Sequence, residues 1–294
     1  RIRQMITHDD ITQLPKIRFS GFSDIREMPG AELIEALGDS YHHVGLEDTI
    51  VVTRSNKRAN IFNQGIRNMV LDREEELESG DMLMIVKNNY YWMEEERKKI
   101  KERQLSEERK VKSGKFNTLA NHTVQSNEVS SHEIPAFLAN GDRAKVMKVS
   151  RRIELYGFHF ATLLLKFPDY DNYELEATVL LDTLTSEASA LTHDQQEQLF
   201  HKIEEDYQDI PLKADRMKAI RQDPYFNALQ VKFAYAVTCH KAQGGQWSHV
   251  YVDQGYMTDE MLTPDYIHWL YTAFTRATEM LYLVNWPKTQ VEGE

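Results

Sequence analysis

Short β-branched runs alternate along this chain with amphipathic stretches that follow them. Thr49-Ile50-Val51-Val52-Thr53 is a continuous run of strand length, the mark of a buried strand. Behind it Ala59, Phe62, Ile66 and Met69 recur at helical spacing, so a helix packs back on that strand. Strand followed by helix is the repeating unit of a doubly wound α/β sheet. The same reading predicts a short helix over 31–37, ending at Gly38 after a Pro29-Gly30 lead-in, and a strand over 80–87. Near the other end it predicts buried strands over 233–237 and 250–252 and a closing strand over 280–284. Between the last two, Thr263-Pro264 is a clean helix start, with proline at the first helical position. Ile267, Leu270, Tyr271 and Phe274 form the packing stripe of that helix.

The middle of the chain has a different texture. Residues 94–112 are almost wholly charged and 113–132 are polar without a clear period, which predicts an insertion: a solvated helix followed by a flexible loop. From Phe137 onward Asn140-Gly141-Asp142 reads as a turn, followed by β runs over 144–149, 156–167 and 173–181, with Pro168-Asp169 between the last two. Short strands at close spacing predict a small barrel. Residues 193–221 read as helical, opening on Thr192 as N-cap. The expected organisation is therefore a parallel-sheet domain in two segments, 1–92 and 191–294, interrupted by a charged and polar insertion over 93–136 and a β-barrel over 137–190.

Composition narrows the class. A chain of 294 residues with 41% hydrophobic content can bury a real core, in two domains or in one with a large insertion. The net charge of −11 argues against a general nucleic-acid coat protein, so any anion-binding surface must be a local patch on an acidic body. The single cysteine, Cys239, excludes an intramolecular disulfide and a cysteine-based zinc site, and suits a reducing cytoplasm. No apolar run approaches the roughly 18 residues of a membrane span. A start at Arg1 rather than methionine predicts a segment of a longer protein.

Four stretches carry candidate chemistry. Val237-Thr238-Cys239-His240-Lys241-Ala242-Gln243-Gly244-Gly245-Gln246-Trp247 is a polar, glycine-bearing turn leaving a hydrophobic strand. Thr238, His240 and Lys241 offer a hydroxyl, an imidazole and an ammonium, a set suited to the phosphates and sugars of a nucleic-acid backbone. Cys239 reads as a buried structural thiol, since neighbours on a strand face opposite ways. The second stretch, Tyr271-Thr272-Ala273-Phe274-Thr275-Arg276-Ala277, places Arg276 opposite the packing stripe on a helical wheel. The alternative for Arg276 is a solvated cation favoured at a helix C-terminus. In the third, Arg54, Lys57 and Arg58 follow a buried strand at a helix N-terminus and make a phosphate site, or else a solvated helix start in which Asn56 and Asn60 only cap the turn. In the fourth, Asn88-Asn89-Tyr90-Tyr91-Trp92, Tyr90 and Tyr91 offer rings for base stacking or for packing beside the barrel, and Trp247 carries the same two readings. His42, His43, His122 and His132 show no ligand spacing, and no metal constellation or nucleophilic triad stands out.

The first two stretches resemble motifs V and VI of superfamily 1 helicases, the ATP-driven motors that walk along single-stranded nucleic acid. The His240-Lys241-Ala242-Gln243-Gly244 core is similar to that of the RecD-like branch in particular. Thr53-Arg54-Ser55-Asn56-Lys57-Arg58-Ala59 resembles the segment opening the conserved strand–helix unit of the second motor domain in these enzymes, and Asn140-Gly141-Asp142 the start of their barrel. The likeness covers 49–68, 80–92, 137–146 and 231–284. It implies a RecA-like domain of the P-loop type with an inserted SH3-like barrel, forming the C-terminal half of an ATP-dependent DNA helicase. Under that resemblance Arg276 is an arginine finger acting on ATP, Gln243 and Gly244 face the nucleotide, and Thr238, His240, Lys241, Arg54, Lys57, Arg58, Tyr90 and Tyr91 contact single-stranded DNA. ATP and Mg²⁺ are implied as cofactors bound mainly by an N-terminal RecA-like domain, since no Gly-x-x-x-x-Gly-Lys-[Ser/Thr] loop occurs in these residues. The rival readings are a non-enzymatic nucleic-acid-binding module and a subunit of an ATP-dependent exonuclease complex.

Overall fold

The computed structural model describes residues 2, 3, 6, 15–112, 135–257, 261 and 263–292. The 113–132 segment expected as a polar loop, with His122 and His132, lies outside the described residues. The chain divides into two compact units: Arg1–Leu83 with Leu184–Ser189 and Lys232–Glu294, and Met84–Thr183 with Ala190–Val231.

The first unit is built on a five-stranded sheet whose neighbouring strands all pair in parallel. Its strands are β1 (Ile25–Met28), β2 (Thr49–Thr53), β8 (Ala236–Thr238), β9 (Trp247–Asp253) and β10 (Ala277–Val284), in the spatial order β1-β10-β9-β2-β8. β2 is buried at every position, as a β-branched run covered on both faces should be. Helix α1 (Leu33–His43) follows β1. It does not stop at Gly38 as expected but runs through it, and the chain leaves at Gly45, whose φ of +93° suits glycine alone. Helix α2 (Asn56–Gly65) follows β2, capped by the Ser55 hydroxyl, which accepts from the Arg58 N–H at 3.2 Å. A π-turn over Ile66–Val70 continues it. That wider turn shifts the helical phase, so Ala59 and Ile66 are buried as expected, whereas Arg67 turns inward and Met69 outward, 71% exposed.

A closed barrel is formed by β3 (Met82–Ile85), β4 (Arg143–Leu155), β5 (Phe158–Phe167), β6 (Tyr173–Leu180) and β7 (Leu229–Phe233). The expected barrel is therefore present, drawing two of its strands from outside 137–190. The β4–β5 hairpin turns at Tyr156-Gly157, where both residues have positive φ, +60° and +79°. This is the backbone twist that matches paired strands, and it removes Tyr156 from the strand in which the β pattern placed it. Register shifts between Val146 and Lys148 and between Val149 and Arg151 bend the long β4 around the barrel.

In the second unit the continuous helix expected over 193–221 is two helices, α4 (His193–Asp206) and α5 (Lys213–Arg221), interrupted around Pro211. Thr192 opens α4 with a full capping box to Gln195. Leu199, Ile203 and Ile220 of these helices pack on Phe158, Phe160 and Leu180 of the barrel, so residues grouped with the C-terminal segment on sequence grounds share this core. Helix α3 (Tyr91–Lys112) carries the charged run; Trp92 and Met93 anchor its first turn, and Arg97 in the next donates to the Pro135 carbonyl. In the first unit the last helix, α6 (Pro264–Phe274), starts at Pro264 as expected and buries Tyr266, Ile267, Leu270 and Ala273, leaving Tyr271 38% exposed.

Candidate nucleic-acid interface

In a parallel sheet, ligands bind outside the carboxyl ends of the strands where successive connections depart in opposite directions. Here that point lies between β2 and β9. The chain leaving β2 returns as its neighbour β8 on one side, and the chain leaving β9 returns as its neighbour β10 on the other. Arg54 and Ser55 follow β2, Asp253 ends β9, and the turn after β8 carries Cys239 to Gln246.

That last turn is held by backbone bonds. The Lys241 and Ala242 N–H groups donate to the Thr238 carbonyl at 2.9 and 3.1 Å, and the Cys239 N–H to the Thr53 carbonyl at 3.0 Å. His240, Gln243 and Gly244 are exposed, while Thr238 and Lys241 are half-buried. Gly244 has φ +86° with open space where a side chain would stand, so backbone conformation is what requires glycine there. Close approach belongs to Gly245 instead, where a Cβ would collide with the Trp247 ring. Trp247 itself is buried, which settles its two readings toward packing. Burial lowers the Lys241 ammonium below the usual lysine range. Cys239 is buried too, its Sγ 3.6 Å from the Trp269 carbonyl; burial pushes the thiol up to about 11, against a smaller opposing pull from Arg276.

Arg276 does not project from α6. The helix ends at Phe274, and Arg276 sits in the turn before β10, half-buried. Its Nε donates to the Thr272 carbonyl at 2.9 Å, Nη1 to the Gly245 carbonyl at 2.9 Å and Nη2 to the Thr275 hydroxyl at 3.0 Å. Its own carbonyl accepts from the Trp247 N–H at 2.9 Å. One residue thus joins the end of α6 to the glycine turn by side chain and backbone together. Wheel geometry pointed this arginine away from the core because it assumed two further residues of helix.

The three cations after β2 have separate fates. Arg58 is clamped bidentately by Asp253, Nε to Oδ2 at 2.8 Å and Nη2 to Oδ1 at 2.7 Å, across the β2–β9 point, and its guanidinium lies over the Phe62 ring. The bond to Asp253 raises its pKa further. Lys57 is exposed, 3.9 Å from the Glu187 carboxylate. Arg54 is exposed, with its Cζ 5.6 Å from the Tyr266 ring centroid and 5.9 Å from that of Trp269. Asn56 and Asn60 donate to the carbonyls of Glu187, Thr185 and Ser186, pinning the 184–189 segment to α2. A cavity of about 330 Å³ opens here, with Arg54, His240, Gln243, Asp265, Tyr266 and Trp269 among its walls. Sequence reasoning missed Tyr266, Trp269 and Asp253. The i, i+3 aromatic spacing of the first two was its only trace.

Tyr90 and Tyr91 belong to the other unit. Tyr90 is 53% exposed and stacks on Phe137, ring centroids 4.8 Å apart. Tyr91 is half-buried and its hydroxyl donates to the Gln222 carbonyl at 3.0 Å; burial raises its pKa. Both line a cavity of about 240 Å³ beside the barrel. The Tyr91 hydroxyl is thus tied to protein, and the exposed ring is that of Tyr90.

A parallel α/β sheet with cations and a glycine turn at its carboxyl edge has the arrangement in which such sheets receive ligands. Residues 233–284, spanning β8, β9, α6 and β10, match the family model described as the UvrD-like helicase C-terminal domain. The match supports a superfamily 1 helicase C-terminal domain and a helicase-type, nucleic-acid-related function. No curated protein matches the chain. Among the described residues no helix is long and apolar enough to cross a membrane.

Proposed function

We propose that this chain is the C-terminal half of an ATP-dependent DNA helicase or translocase of the RecD-like branch. In this reading the sheet domain is RecA-like, the barrel is SH3-like, and the track is single-stranded DNA. The observation that carries the reading is the position of Arg276, bonded at once to the end of α6 and to the Gly245 carbonyl of the turn holding His240, Lys241, Gln243 and Gly244. A guanidinium has five N–H donors, and three of them have acceptors here, which leaves capacity for an oxyanion.

The donors at this edge fit phosphate oxygens. A guanidinium, the Gln243 amide and the exposed backbone of Gly244 all offer N–H donors. Arg276, Gln243 and Gly244 would hold the terminal phosphates of ATP presented by an N-terminal RecA-like domain, which would also supply the Mg²⁺ ligands. When bound, ATP supplies the phosphoryl group whose loss drives movement. In this chain Arg276 acts as the arginine finger, placing positive charge where the transferred group develops negative charge. To reach that group Arg276 gives up its bond to the Gly245 carbonyl, which loosens the turn whose other face offers Thr238, His240 and Lys241 to the strand backbone. Half-buried Lys241, partly stripped of water, is stabilised by an arriving phosphate. Arg54, Lys57 and Arg58 extend the cationic edge, with Arg58 held by Asp253, and Tyr90 offers a stacking ring on the other unit.

The test is ATP hydrolysis by the whole protein that carries this chain, with and without single-stranded DNA, beside its Arg276→Ala variant. Strand-stimulated turnover should fall by roughly 10³–10⁵ in the variant with ATP binding retained. Wild-type protein that binds the strand yet shows no stimulated turnover would instead establish the binding-module reading.

A further inference from the structure

Arg54 differs from its neighbours in what surrounds it. Its guanidinium lies over Tyr266 and Trp269, whose own rings are nearly parallel, 12° apart with centroids separated by 6.3 Å. Tyr266 is buried and Trp269 half-buried, while Arg54 is exposed and also donates from Nη1 to the Met257 sulfur, so the layered set leaves the guanidinium at the surface. The adjoining cavity, about 330 Å³, lies at the small end of ligand pockets and has room for a ring-sized group. His240 and Gln243 stand at one wall, and Asp265, in the first turn of α6, at another.

We propose that this cavity receives a single unpaired nucleobase of the bound strand, stacked on the Arg54 guanidinium. The inference rests on the strand-binding reading above and changes the role of Arg54 within it, from a phosphate contact to a stacking platform. A planar guanidinium backed by aromatic rings is a surface on which splayed-out bases stack. The Asp265 carboxylate repels a phosphate entering the same space but accepts a hydrogen bond from an N–H on the edge of a base. His240, exposed at the wall, is placed for the sugar–phosphate that flanks the inserted base. A strand held this way is gripped by one base as well as by its charge.

The experiment uses the whole protein that carries this chain, with thymidylate oligomers of about 16 nucleotides carrying one abasic site at successive positions. Free nucleoside monophosphates serve as competitors. One position should stand out, its abasic form binding roughly 5- to 150-fold more weakly, the range expected for the loss of one stacked base. Arg54→Lys keeps the charge and loses the plane. It should abolish that position dependence while leaving the slope of log affinity against log salt unchanged. A flat abasic scan in wild type, or a position dependence that survives Arg54→Lys, overturns the base pocket and leaves the helicase reading standing. Monophosphates that compete as strongly as the strand overturn it in favour of a free-nucleotide site. Absence of any strand binding by wild type overturns both.

Discussion

Asp81 has no exposed surface, and its carboxylate gathers four partners. Arg67 donates through Nε and Nη2 at 3.0 and 3.1 Å, Arg73 at 2.8 Å, the Tyr235 hydroxyl at 2.8 Å and the Glu78 N–H at 2.7 Å. Arg67 is equally enclosed, 3% exposed at its side chain, over the Phe233 ring at 4.4 Å. Removing one charge from such a set leaves the others buried and uncompensated, which costs about 3–5 kcal/mol. Asp81→Asn should therefore lower the unfolding free energy of the first unit by about that amount, read as a shift in urea midpoint. A loss under about 1 kcal/mol would mean the arginines find water on their own. Nothing in the sequence announces this cluster. Gly80 and Asp81 read only as the start of a strand over 80–87, and the partner tyrosine lies far along the chain. The same limit hid the Arg58–Asp253 clamp, so the cations after β2 were legible as residue types and not as one paired, one stacked and one solvated group.

At the scale of elements, local chemistry set most starts and misled on several ends. Thr192 and Thr263-Pro264 announced their helices because caps and N1 prolines act within one turn, whereas α2 is capped by Ser55 and not by Asn56 or Asn60. Endings depend on what packs alongside, and α1 shows it. Gly38 carries the local stop signal, yet the helix crosses it because Leu37 and Ser40 are buried and the left-handed exit is made at Gly45. The two glycines should then respond oppositely to alanine. At Gly38 an added Cβ would meet only Val70 at 3.9 Å, so Gly38→Ala should stabilise by about 0.5–1 kcal/mol. At Gly45 the same change forces a left-handed alanine and should cost about 1–2 kcal/mol despite open space around it. Thermal unfolding of the two variants decides it, and equal signs would refute the reading. The π-turn at Ile66–Val70 was illegible for a related reason: one extra residue in a turn leaves no compositional mark, yet it rotates everything after it.

For the whole molecule, alternating apolar runs and helical stripes gave the parallel sheet and the barrel, since burial of apolar surface dominates folding at that scale. How the chain shares its helices was not legible, because α4 and α5 could cover either apolar face. The acidic balance, −11 overall, makes the buried ionisable groups of the first unit readable in an alkaline titration. Burial lowers Lys232 from its ordinary 10.5 to about 8, with nearby Lys241 adding to the effect. Between those values the unfolded chain binds the extra proton, so stability rises with pH. Cys239 acts in the opposite sense. Its thiol is raised from 9.0 to about 11, so its contribution is complete below pH 9 and is lost above it. Burial also holds Tyr41, Tyr235 and Tyr251 well above the ordinary tyrosine value of 10.0, and Tyr266 at about 12, so all four withdraw stability as pH climbs past 10. The urea midpoint should therefore increase from pH 8 to 9, level off toward 10 as lysine and thiol oppose each other, and fall beyond. Lys232→Met should remove the rise, and Cys239→Ala should extend it toward higher pH. A midpoint that falls steadily from pH 8, unaltered by Lys232→Met, would show that the Lys232 ammonium keeps its ordinary proton affinity inside the fold.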